Sequence, residues 1–133
     1  MNTKDITSRE DIQSLIEDFY ENVKLDDTLG IIFNQIIPIN WDHHIPLIVD
    51  FWETILLDNP LYKNNAMEKH FDINKIYLLK KEHFDAWLAL FYSSIDKNFY
   101  GPVAELAKKR AASIAGIMQF KMHIINNEIK KYE

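Results

Sequence analysis

Residues 11–23 read DIQSLIEDFYENV, and the apolar Ile12, Leu15, Ile16, Phe19, Tyr20 and Val23 recur three or four places apart. That spacing sets all six on one stripe of an α-helix. Just upstream, Thr7-x-x-Glu10 fits a capping box with Ser8 inside it, so the helix is expected to begin there. Downstream, a turn at Asp26-Asp27 leads to a short apolar piece, Leu29 to Phe33, and a loop holding Pro38.

The rest of the chain divides in the same way. Asn40 suits the N-cap of a second helix whose apolar side holds Trp41, Ile45, Ile48, Val49, Trp52, Ile55 and Leu56. Pro46 deletes one backbone hydrogen bond near its first turn, where a bend is expected. Asp58-Asn59-Pro60 stops it. Leu61 to Tyr77 reads as mostly loop with one or two helical turns. Phe84, Trp87, Leu88, Phe91 and Ile95 mark a further helix ending near Gly101. Pro102 is a favourable first residue for a last, long helix through Val103, Leu106, Ala107, Ala111, Ile114, Ala115 and Met118. No segment alternates with period two, so the fold class is all-α.

The chain has 133 residues, enough for one domain, residues 1–133, and too few for two. Hydrophobic residues at 47% and charged ones at 26% suit a globular chain. Cysteine is absent, which excludes disulfide scaffolds, thiolate zinc sites and Cys nucleophiles. A formal charge of −5 disfavours a nucleic-acid partner. Ile45 to Leu57, the most apolar stretch, is too short to span a bilayer, so no membrane association is expected. Met1 to Asp5 has no apolar core of a signal peptide, and the cytoplasm is the expected location. Eight Phe, six Tyr and three Trp offer more flat apolar surface than a minimal bundle needs.

Several short motifs, taken together, resemble the third group of truncated haemoglobins. They are Phe19-Tyr20, Leu29-Gly30-x-Ile32-Phe33, Trp41-x-x-His44, Phe51-Trp52, Lys69-His70, His83-Phe84-x-x-Trp87-Leu88 and Ala107-Lys108-x-Arg110-Ala111. They fall in the family's order from about Asp5 to about Met118. Each alone is weak, whereas their joint order and spacing are specific. The paired glycines that other truncated haemoglobins carry near two helix ends are missing, as in the third group. Two departures stand out: Ile31 where the family usually has Pro, and Lys80-Lys81 where a Thr or Pro often starts the helix.

The resemblance implies a two-over-two helical sandwich around one haem. With no C-x-x-C-H for covalent attachment, this is a b-type haem. Five histidines could ligate iron (His43, His44, His70, His83 and His123), and an isolated His is more often a surface or satisfied core residue. His70 occupies the family's iron-ligand position. Tyr20, His44, Ile48 and Trp87 would line the opposite, open face. There a phenol and an indole N–H would donate to a bound O2, NO or CO, although both also lie on apolar stripes where ordinary core packing is about as common. His44 would gate entry, donate to the ligand, or bind iron when the site is empty. Phe33, Phe51, Trp52 and Phe84 would pack near the porphyrin, with Trp52 equally suited to plain core. Lys69 or Lys63 would meet the propionates, His83 would sit at a helix start, and Arg110 would anchor helices.

Tight binding suits ligand sequestration, nitric oxide dioxygenation or peroxidase-like turnover better than transport. Redox turnover needs a separate reductase, because no G-x-G-x-x-G motif is present. A monomer is expected. Two other readings compete: a cofactor-free helical interaction module whose aromatic stripes are core or groove, and a non-haem metal enzyme using His43 and His44. The second is weak, since no Glu-x-x-His pair recurs on two helices.

Overall fold

The computed structural model describes residues 4–30, 41–58 and 80–131, with side chains of the last helix as far as Lys121. Four helices fall in these stretches: α1 (Arg9–Leu25), α2 (Trp41–Leu56), α3 (Lys81–Asn98) and α4 (Pro102–Lys131). There is no strand among the described residues. Helix α1 packs against α2 and α3, α3 packs against α4, and α2 also reaches α4. Two helices thus lie over two. The loose reading of Leu61 to Tyr77, and the positions Phe33, Lys63, Lys69 and His70, lie outside the described residues, as does the His123 side chain.

The cap of α1 is shifted by one residue from the Thr7 box. Ser8, extended at φ −146° and ψ 166°, is the N-cap, and its Oγ accepts the Asp11 N–H at 3.2 Å. The Asp11 carboxylate reaches back to accept the Thr7 N–H at 2.9 Å and its hydroxyl at 3.1 Å. Asp11, three places past Ser8, thus reaches beyond the N-cap to the Thr7 backbone, and Glu10 is exposed. At the other end the Asp26 carboxylate accepts the N–H groups of Thr28 and Leu29, both at 2.9 Å, which starts the next turn at once. Pro46 is exposed inside α2, and the helix runs through it to Leu56.

Lys80 takes the N-cap place of α3 that a Thr or Pro fills elsewhere, and His83 supplies the missing polar partner. The Lys80 N–H donates to His83 Nδ1 at 2.8 Å. Burial holds the His83 imidazole below its ordinary pKa, against the opposing Glu82 carboxylate and with the Lys80 charge on its side. The positive end of the helix adds to this preference for a neutral ring. An unfolded histidine takes up a proton as pH falls through about 6.5, while the folded ring resists. Stability from this cap is therefore complete above that pH and is lost as pH falls through the lower folded value. His83→Gln is expected to flatten the fall in stability on the acid side of neutrality. Denaturation midpoints measured against pH check this, and parallel curves for the two proteins would refute it.

The last helix is capped from the far end of the chain. Asp5 Oδ2 accepts the Val103 N–H at 2.9 Å and Oδ1 accepts that of Ala104 at 2.8 Å. The Tyr100 N–H donates to the Lys4 carbonyl at 2.8 Å. Between them Gly101 adopts φ +143°, and a Cβ there would stand 2.6 Å from Asp5 Cγ. Only glycine fits that approach.

The core is built from Ile6, Ile12, Leu15, Ile16, Phe19 and Val23 on one side, and Phe91, Ile95, Ala104, Ala107 and Ala111 on the other. The alanines let α3 and α4 come close. At the α1–α2 seam Arg9 Nη1 lies 2.6 Å from Asp50 Oδ1 and 3.7 Å from Glu53 Oε2, which explains how the buried Glu53 is tolerated. At the α1–α3 seam Lys97 Nζ meets Asp18 at 2.9 Å. Arg110, expected to anchor helices, is exposed and makes no such contact among the described residues. Lys108 takes that role by pairing with Asp96 of α3, while Tyr92 Oη donates to the Lys108 carbonyl at 3.2 Å. Ser94 is buried, and its hydroxyl has no partner among the described residues. Ser94→Ala is accordingly expected to stabilise the protein by about 1 kcal/mol, the desolvation cost of an orphaned hydroxyl. A lower midpoint in urea for the variant would show that Oγ has a partner.

Candidate functional site

Helix α1 delivers Tyr20 in its last two turns and α2 delivers His44 in its first, and the two side chains meet. Tyr20 Oη and His44 Nε2 are 3.1 Å apart. Tyr20 is buried, and burial pushes its phenol well above the usual range, so the O–H keeps its proton and remains a donor. A third ring closes the group: Trp41 lies 5.0 Å from Tyr20 and 5.8 Å from His44, centroid to centroid. Lys24 sets its ammonium 4.5 Å from the centre of the Trp41 ring, a cation–π contact.

Trp87 stands on α3 between Phe84 and Phe91, three residues after one and four before the other. Both neighbours are buried, yet Trp87 is half-buried. Its position is that of a core residue and its exposure is not. The ring lies parallel to Phe91, 2° between planes at 5.6 Å, and edge-on to Phe19 at 5.9 Å. Phe19 in turn contacts Tyr20 at 5.0 Å. Tyr20 and Trp87, distant in sequence, are each one ring away from Phe19.

On α2, His44, Ile48, Phe51 and Ile55 follow at spacings of four, three and four, which makes one stripe. All four are half-buried. The adjoining stripe of Val49, Trp52 and Leu56 is buried. Trp52 is part of the core, stacked on Phe91 at 4.8 Å, and Phe51 leans edge-on against it at 5.5 Å. Of the expected site residues the structure thus places Tyr20 and His44 in contact, Ile48 and Phe51 along the same stripe as His44, and Phe84 and Trp87 on α3. Phe33, Lys69 and His70 lie outside the described residues.

These residues fit a haem. A half-buried apolar stripe, a half-exposed indole in an otherwise buried row, and a buried neutral phenol with an imidazole beside it suit a flat apolar ring whose polar business is confined to one place. Ile48, Phe51 and Trp87 would touch such a ring or its ligand. Trp41 and Lys24 were not singled out from sequence as members of this group. Their signals were there: Lys24 is four residues after Tyr20, and Trp41 is three before His44. Among the described residues no three of His, Asp and Glu gather as a metal-holding group, and no helix is long and apolar enough to cross a membrane.

No family model matches the chain. The group 3 truncated hemoglobin of Campylobacter jejuni is 33% identical over 115 residues, which covers 84% of this chain and 88% of that protein. A crystal structure of the group III truncated hemoglobin from Campylobacter jejuni matches with a TM-score of 0.78 at 31% identity, over 92% of this chain and 95% of that one. With that identity across most of both chains, and four helices laid two over two, the protein belongs to the group III truncated haemoglobins.

Proposed function

We propose that this chain is a single globin domain that holds one b-type haem through His70 and binds O2, NO or CO tightly at the open side of the iron. The observation that carries the reading is the Tyr20–His44 hydrogen bond together with a half-buried Trp87 that shares the Phe19 ring with Tyr20. When bound, haem supplies an iron that takes a diatomic molecule and shifts electron density onto it.

The chain's own residues then do three things. Tyr20 Oη–H and Trp87 Nε1–H donate hydrogen bonds to a molecule that carries partial negative charge. His44 sets what Tyr20 can offer. With the proton on Nε2, His44 donates to Tyr20 Oη and leaves the phenolic proton for the ligand; with Nε2 bare, Tyr20 donates to His44 instead. Ile48 and Phe51 keep water from the ligand, so these donors act in a medium of low polarity. Two charge-assisted hydrogen bonds favour retention over release, which suits sequestration or redox detoxification more than transport. Any nitric oxide dioxygenase or peroxidase-like turnover draws its electrons from a separate reductase.

The deciding experiment is an absorption spectrum of the purified protein with added hemin. A strong Soret band that moves with carbon monoxide is expected, and His70→Gly is expected to lose it until imidazole is added. A colourless protein that rejects hemin would favour the interaction module, and a normal spectrum for the Gly variant would remove His70 from its role.

A further inference from the structure

We infer that Tyr20, His44 and Trp41 form a proton-coupled electron-transfer site that takes up oxidising equivalents from solvent-borne one-electron oxidants. The rings of Tyr20 and His44 are joined by a hydrogen bond at 3.1 Å, and Trp41 contacts both rings at 5.0 and 5.8 Å. Tyr20 is buried whereas Trp41 is half-buried. An oxidant therefore meets the indole before it can meet the phenol.

The step balances as follows. The oxidant gains one electron and is released reduced, with no atom exchanged. Tyr20 loses that electron by way of the Trp41 ring, and its phenolic proton moves 3.1 Å-close partner to partner, from Oη to His44 Nε2. The products are a neutral phenoxyl radical and an imidazolium. The site decides where the equivalent rests. The Lys24 ammonium, 4.5 Å from the centre of Trp41, disfavours a positive charge on the indole. A phenol in a buried place cannot carry positive charge either, but it can shed it as a proton to the adjoining base. The equivalent therefore passes Trp41 and stops on Tyr20. Phe19, in contact with Tyr20 at 5.0 Å, is not oxidisable at comparable cost and holds no equivalent itself. None of this requires the haem, so the inference stands apart from the ligand-binding reading.

The test uses the 133-residue chain in its haem-loaded ferric form with fluorotyrosine incorporated at position 20 alone, and ruthenium(III) tris(bipyridine) generated by flash and quench as the oxidant. Electron paramagnetic resonance is expected to show a phenoxyl signal with fluorine splitting. His44→Phe should slow its formation about a hundredfold, the usual value of a positioned base, with added imidazole restoring it. Trp41→Phe should remove the fast phase, and Lys24→Ala should move part of the signal to an indolyl radical. A phenoxyl without fluorine splitting, or a rate indifferent to His44→Phe in a protein that keeps its helical circular dichroism, would overturn the inference. If the protein takes no haem, the same measurement on the full chain alone decides it.

Discussion

Haem-loaded protein carrying Trp87→Phe is expected to release dioxygen about ten- to a hundredfold faster than the natural chain, and Tyr20→Phe to do the same. A hydrogen bond to a charged group contributes roughly 1.5–3 kcal/mol, and each 1.4 kcal/mol is about tenfold. Phenylalanine preserves the flat ring in both places. At position 87 it keeps the parallel stack on Phe91 and the edge contact with Phe19, and at position 20 the contacts with Phe19 and Trp41. What it removes is one N–H or O–H. Stopped-flow displacement of dioxygen by carbon monoxide gives the rate. Unchanged rates in both variants would mean that neither group reaches the ligand, and the case for tight binding would fall with them. Losing Tyr20 also strips His44 of its 3.1 Å partner, so the double variant is expected to differ from the product of the single effects.

Gly101→Ala is expected to cost on the order of 3 kcal/mol. Two effects add: strain from a left-handed φ of +143°, and displacement of Asp5, whose Cγ would lie 2.6 Å from the new Cβ. Displacing Asp5 exposes the N–H groups of Val103 and Ala104 at the head of a 30-residue helix. For a chain of this length that loss lowers the melting temperature by roughly 10 °C. Asp5→Ala alone should cost about half as much, since it loses the cap without the strain. The combination is the sharper measurement. Asp5→Ala would still leave its Cβ 2.8 Å from the new one, whereas Asp5→Gly removes that atom together with the carboxylate, so Asp5→Gly with Gly101→Ala should cost less than the two apart. Strict additivity would show that the close approach is not what requires glycine.

Much of the helical frame is legible in the residues themselves. The stripe Ile12, Leu15, Ile16, Phe19, Tyr20 and Val23 is the buried face of α1, because a helix that packs on two neighbours needs a broad apolar side. Gly101-Pro102 marks the start of α4 for equally local reasons. The cap at Asp5 was not legible. Its partners are almost a hundred residues away, and nothing local distinguishes this Asp from any other near a chain start. The same limit applies to the site. That Tyr20 and Trp87 belong to one site is what the resemblance implies; periodicity marks each as core and says nothing of Phe19, which both rings contact. Exposure separates them: Tyr20 is buried with a polar partner, and Trp87 is half-buried inside a buried row. Arg110 misled because guanidinium groups often bridge helices, whereas here the shorter reach of Lys108 already meets Asp96.

Helix α2 shows two adjoining stripes of different character, one sealed against α1 and the interior by Val49, Trp52 and Leu56, the other carrying His44, Ile48, Phe51 and Ile55 only partly covered. Because the sealed stripe has partners of its own, α2 is anchored whether or not a prosthetic group lies along its flank. If haem lies along that flank, as proposed, it covers a face of a helix already held by other contacts, and the share of the heat capacity change that α2 contributes on loading should be small and negative.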